Sequence, residues 1–190
     1  MKFILFCLLT TLVSTGTSMK REILMSQSGE DSVKRETRSL LLKLRDEKFR
    51  QEAPKEVIEA IKRLGELRAQ DAIGDLIALL GFRQIFPWES GEIQAIQEIH
   101  PITTAGRYPA TGALMQIGRP ALQALTDALA QKQTGTLESE NALYVVQQIF
   151  LDDPQEGVSY LTEAAAKFSD SQSRDRLLNA SRRLDVKARK

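Results

Sequence analysis

The chain has little of the chemistry on which most enzymes rely. It has one cysteine, Cys7, and one histidine, His100, in 190 residues. Because Cys7 lies in a segment that we expect to be removed, the mature chain would have no disulfide, thiol nucleophile or cysteine-ligated metal. There is no Gly-x-Ser-x-Gly elbow and no glycine-rich phosphate loop. The sequence therefore predicts no catalytic residue, no metal site, no cofactor and no enzymatic activity.

An excess of charge of either sign is also missing, since 26 basic residues stand against 25 acidic ones. A balanced chain has no global field that attracts nucleic acid or an anionic membrane. The C-terminal segment is locally basic, and its arginines form a candidate anion-binding cluster: Arg174, Arg176, Arg182 and Arg183. The alternative is a solvated face of the last helix. No aromatic residue is interleaved for stacking on bases, so we expect no nucleic-acid partner.

The N-terminus has the pattern of an export signal. Lys2 precedes an apolar run over residues 3–13, and small residues follow at 14–18. This run is shorter than the ~20 residues that cross a bilayer, so a membrane anchor is the weaker alternative. We predict a signal peptide at 1–18, cleaved near Met19. The protein would then be exported, periplasmic or extracellular, with no membrane span after cleavage.

Two segments follow the signal. Residues 19–36 are polar and mixed in charge, which is typical of a flexible leader. From Ser39, apolar residues recur at helical spacing, which predicts a first helix with Ser39 as its N-cap. We therefore expect the folded domain to span residues 37–190.

An apolar pattern then recurs along the domain as pairs of short amphipathic helices. In the first pair, Pro54 suits a first helical turn, Gly65 marks a helix end or a close approach, and Asp71 is a candidate N-cap. Its two apolar stripes comprise Val57, Ala60, Ile61 and Leu64, then Ile73, Leu76, Ile77 and Leu80.

The second pair spans residues 109–130, with a predicted turn at Gly118-Arg119-Pro120. Its stripes comprise Ala113, Leu114 and Ile117, then Leu122, Leu125 and Leu129. A weaker third copy spans 138–168, with Asp152-Asp153 as a helix N-terminal pair before Pro154. A last helix from about Ser171, carrying Leu177, Leu178 and Leu184, would close the far end.

The two better pairs read A-I-x-x-L-G followed by A-I-x-x-L-I-x-L-L at 60–80, and A-L-x-x-I-G-x-P-A-L-x-A-L at 113–125. These motifs resemble HEAT-type repeats. The resemblance implies an all-α fold, a short α-solenoid of HEAT-like or armadillo-type hairpins, and a role as a protein-binding or scaffold module. One HEAT-like subfamily handles tetrapyrrole chromophores, so an enzyme or chromophore-handling protein of the HEAT-like lyase type is the alternative. Because helical-repeat folds host unrelated activities, the fold alone does not decide between a binding module and an enzyme.

An insertion at residues 81–108 interrupts the pattern between the first two pairs. A regular array does not need a connection this long. The insertion contains the only tryptophan and histidine of the chain, and its candidate binding residues are Phe82, Phe86, Trp88, His100 and Tyr108. Tryptophan and tyrosine dominate binding hot spots, which favours a site for a protein partner of unknown identity. The alternative is that these side chains fold back as local core.

Overall fold

The computed structural model describes residues 15–85 and 103–188, with side chains at 30–85 and 103–186. In these ranges the protein is all-helical, without a strand. The helices are α1 (Thr15–Arg45), α2 (Glu47–Glu52), α3 (Pro54–Glu66), α4 (Ile73–Ala78), α5 (Thr104–Arg107), α6 (Pro109–Ile117), α7 (Leu122–Gln131), α8 (Leu137–Ile149), α9 (Pro154–Lys167) and α10 (Ser171–Ala188). Short 3-10 helices at Gln70–Ala72 and Arg119–Ala121 lead into α4 and α7.

The described part of α1 already includes Thr15 and runs through Ser39, so the prediction that the first helix starts at Ser39 with a cap there is wrong. The segment 19–36, predicted as a flexible leader, belongs to this helix because it consists largely of good helix formers, with Gly29 its single glycine. Residues 30–35 are nonetheless exposed on all sides. Among the residues with described side chains, contact with the domain begins at Glu36, beside the predicted boundary at residue 37. Of the predicted signal peptide, residues 1–14 lie outside the described ranges.

The first helix also ends sooner than its apolar spacing indicates. The side chain of Asp46 accepts a hydrogen bond from the Phe49 amide at 3.1 Å, which caps α2 and separates it from α1. Arg45 makes a bidentate pair with Asp75 of α4, both contacts at 2.9 Å. Together with Glu36, which accepts from Arg63 of α3, this pair holds the two ends of the docked part of α1.

The first two predicted helix pairs are confirmed as helices, and their stripes are buried except at Ile73 and Ile77, which are half-buried. Val57, Ile61 and Leu64 of α3 are fully buried, and the stripes of α6 and α7 are buried likewise. Helix α3 packs along α6, and α4 packs on both α6 and α7. Asp71 is not an N-cap: it lies inside the 3-10 turn, and α4 has no side-chain cap. Gly118 has a φ of 76°, which explains a glycine in the second turn.

The third pair departs from the first two in its packing. Asp153 caps α9 by accepting from the Glu156 amide at 3.0 Å, as its position before Pro154 predicts. Helix α8 packs on α6 and α7, whereas α9 packs mainly on α10, and α10 also lies along α7. Leu177 and Leu184 of α10 are buried in the common core. In the described ranges, no helix is long and apolar enough to cross a membrane.

Candidate functional site

The two described ends of the insertion meet at one place. The Gln84 amide donates a hydrogen bond to the Arg107 carbonyl at 2.9 Å. This bond joins the segment after α4 to the short helix α5, whose N-cap Thr103 accepts from the Gly106 amide at 3.1 Å. We call residues 81–85 and 103–108 the neck. The insertion therefore leaves and re-enters the helical body at a closed base.

The structure places two of the five predicted binding residues, one on each side of the neck. Phe82 is half-buried and packs against the main core. Tyr108 is also half-buried, and its carbonyl accepts from both the amide and the hydroxyl of Thr111 at the start of α6. Both residues thus support the helical body. Phe86, Trp88 and His100 lie outside the described residues, so their predicted role stays a prediction.

A hydrogen bond from the third helix pair reaches the residue before the neck, and the sequence did not predict this bond. Asn141 of α8 is 3% exposed, and its side-chain amide donates to the Leu80 carbonyl at 2.7 Å. The carboxylate of Glu138, one turn earlier, lies 2.9 Å from where a Cβ of Gly81 would be. An asparagine inside the apolar stripe of a helix is the signal that indicates such a buried polar contact.

A groove lies between α7 and α9, with a volume of about 230 Å³. Its residues are Gln123, Thr126, Tyr160, Glu163, Ala164, Lys167 and Phe168. Tyr160 packs against Phe150, with ring centroids 5.7 Å apart. The groove brings together two aromatic rings and one charge of each sign. No motif in the sequence indicated it, because its walls come from two helices about 40 residues apart in the chain.

The four arginines predicted to bind anions are mostly engaged within the protein. Arg176 donates to the carbonyls of Ala130 and Gln131, at 2.8 and 2.9 Å, where it complements the C-terminal end of α7. Arg174 donates to the Phe168 carbonyl at 3.0 Å. Arg183 makes a bidentate pair with Glu140 of α8. Arg182 is exposed. Three of the four therefore donate within the protein and help to dock α10 on its neighbours, and the predicted binding of an anion stays a prediction.

Two other bidentate pairs hold helices together at the surface. Arg119 binds the carboxylate of Glu156 at 2.7 and 2.5 Å, and its guanidinium lies 5.3 Å from the centre of the Phe150 ring. The hydrogen bonds from Arg119 hold the pKa of the Glu156 carboxyl below its ordinary value of 4.5. The hydrogen bond from Arg63 likewise lowers the pKa of Glu36 from 4.5.

These pKa shifts predict a loss of stability in acid. A carboxyl whose folded-state pKa is lowered contributes stability that is fully present above 4.5 and is lost as the pH falls through the folded-state pKa. We expect the thermal midpoint of the wild type to fall more steeply between about pH 5 and pH 3 than that of a Glu36→Gln, Glu156→Gln double variant. Circular dichroism at a series of pH values measures both slopes.

The control for this experiment is Glu52→Gln, because Glu52 is exposed and its nearest cation, Lys48, is 3.8 Å away. Its slope should match that of the wild type, since such surface pairs contribute little. If the double variant keeps the wild-type slope, the two pairs do not act as acid-sensitive contacts.

Among the described residues, no group of three histidine, cysteine or acidic side chains is placed to hold a metal ion. Every buried side-chain polar atom in these ranges has a hydrogen-bond partner.

Comparisons of the chain with protein-family models, with curated proteins and with solved structures found no match.

Proposed function

We propose that this protein is a non-enzymatic, exported scaffold that binds a protein partner, with the insertion at 81–108 as the main contact. The observation that carries the proposal is the closed neck between Gln84 and Arg107. A loop whose base is fixed on a rigid scaffold is a common way to present binding residues. The insertion also carries the only tryptophan of the chain, a residue enriched in binding hot spots.

The packing around the neck supports a structural role for the helical body and a binding role for the insertion. Leu80 before the neck and Ala110 after it are both fully buried, and α3 and α6 contact each other directly. The core of the helical body therefore closes across the base of the insertion. A segment that is not needed to connect the two pairs is available for recognition.

The finer architecture is part of the same proposal. Helices α3, α6 and α8 follow one another in a row, and α4 and α7 form a second row beside it. Successive hairpins in two rows are the arrangement expected of a short HEAT-like α-solenoid. Export to the periplasm or the extracellular space rests on the pattern of residues 1–18, and cleavage near Met19 would leave the docked part of α1 intact.

The experiment that tests the function removes the insertion without opening the body. Residues 85–106 are replaced by a linker of about four glycine and serine residues, which is long enough because the ends already meet. We expect the helical circular dichroism signal and the unfolding midpoint to be largely retained. Capture of the partner from an extracytoplasmic extract, read by mass spectrometry, should be lost.

A matched control replaces the exposed Lys132, Gln133 and Thr134, in the loop after α7, with glycine and serine. This variant should capture the same partner as the wild type. Unchanged capture by the excised variant would remove the insertion as the site. A large loss of helicity would instead favour the alternative, in which the insertion is local core.

The chromophore-handling alternative needs a deep pocket with converging polar groups. The groove between α7 and α9 has about 230 Å³, below the 300–1,000 Å³ usual for small-molecule sites. Its charged groups, Glu163 and Lys167, are exposed side chains at the rim. This groove is therefore smaller than the chromophore-handling alternative requires.

A further inference from the structure

The contact between Asn141 and Leu80 joins parts of the chain that are distant in sequence. The two residues are 61 positions apart, and the bond runs from the third helix pair to the end of the first. Helix α4 ends at Ala78, so the Leu80 carbonyl lies beyond the regular bonds of that helix. Leu80 is fully buried, which leaves its carbonyl dependent on a donor from the protein.

The position of this bond matters as much as its burial. Leu80 is the last residue before the neck, and Gln84, four residues later, makes the bond that closes the neck on Arg107. Helix α8 therefore fixes the start of segment 81–85 through Leu80, and segment 81–85 in turn binds segment 103–108 through the bond from Gln84 to Arg107. Glu138 of α8 lies close to the same segment, since its carboxylate oxygen is 2.9 Å from where a Cβ of Gly81 would be.

We propose that Asn141 is a positioning residue for the neck: from α8 it fixes the Leu80 carbonyl, next to the segment whose Gln84 closes on Arg107, and it thereby couples the third helix pair to partner binding. The coupling to a partner rests on the proposed function. The fixing of the neck does not, because it concerns only contacts within the chain.

Hydrogen exchange of the full-length protein, followed by mass spectrometry, tests this role. The variant Asn141→Leu removes the donor and keeps the branched shape of the side chain, and Asn141→Ala serves if the larger leucine prevents folding. We expect exchange of the Gln84 amide and its neighbours in 81–85 and 103–108 to become about tenfold faster, the change expected when a buried carbonyl loses its hydrogen bond.

A control variant separates positioning from a general loss of stability. Leu177→Val lowers stability from α10, away from the neck, and should accelerate exchange broadly. Faster exchange confined to the neck in the Asn141 variants supports the proposal. Equal acceleration of the neck, α9 and α10, or no acceleration at the neck, overturns it.

Partner capture provides an independent second readout. If the insertion is the binding site, the Asn141 variants should capture less partner than Leu177→Val at equal folded fraction, and equal capture overturns the coupling. If excision of residues 85–106 leaves capture intact, the proposed function fails, while the exchange experiment still decides whether Asn141 fixes the neck.

Discussion

Replacing Phe150 with alanine is expected to lower the free energy of unfolding by about 3–5 kcal/mol, the usual cost of removing a fully buried aromatic ring. Phe150 follows α8, is 2% exposed, and packs against Tyr160 of α9 and beneath the guanidinium of Arg119. Its ring also lies about 3.0 Å from where a Cβ of Gly157 would be. The ring therefore fills the space where the second and third helix pairs meet.

Denaturant unfolding followed by circular dichroism measures this loss. The neighbouring Leu151 is the matched control, because it is 64% exposed, and Leu151→Ala should change the free energy of unfolding by less than ~0.5 kcal/mol. If the two variants are equally stable, Phe150 does not join the third pair to the rest of the domain. A biphasic transition in Phe150→Ala would show that the third pair has become an independent folding unit.

The second large effect is expected at Gly65, where α3 and α6 approach each other most directly. A Cβ at this position would lie 2.7 Å from the Cα of Ala113 and 2.8 Å from the side-chain oxygen of Gln116. The first of these atoms is backbone and cannot move unless the helices separate. Although alanine is the better helix former by up to ~1 kcal/mol, we expect Gly65→Ala to destabilise the protein by about 1–3 kcal/mol.

Gly74 in α4 offers the opposite case in the same hairpin. It is exposed, and a Cβ there would meet nothing within 4 Å. Gly74→Ala should therefore stabilise the protein by about 0.4–1 kcal/mol, mainly by restricting the unfolded chain. Thermal or chemical unfolding of the two variants shows directly whether each substitution raises or lowers the free energy of unfolding. A stabilising Gly65→Ala would mean that α3 and α6 are not in close backbone contact.

The helical periods of the sequence predicted most of the body correctly. Most stripe residues from Val57 to Leu129 are buried, with Ile73 and Ile77 half-buried, and Pro54, Pro109 and Pro154 each begin a helix as expected. These features could be predicted because burial of one face and the fixed φ of proline act within a few residues. The HEAT-like arrangement of the hairpins remains a prediction.

Helix ends were predicted less reliably than helices, because a residue that can cap one helix can also lie within another helix or turn. Ser39 can cap a helix, but the polar residues before it are themselves good helix formers, so α1 continues through it. Asp71 can also cap, yet a 3-10 turn already occupies its position. Conversely, Asp46 does cap, and it divides a segment whose apolar spacing predicted a single helix.

The sequence by itself determined the all-helical class of the described residues and the phase of the buried stripes on α3, α6 and α7. Only the tertiary structure decided that the Gln84 amide meets the Arg107 carbonyl, that Asn141 of α8 donates to the Leu80 carbonyl, and that most of the C-terminal arginines dock α10. The physical reason is the distance along the chain between the interacting residues. An apolar stripe follows from helical backbone bonds between residues three or four positions apart. The Leu80 carbonyl accepts from a donor 61 residues away, and tertiary packing brings the two together.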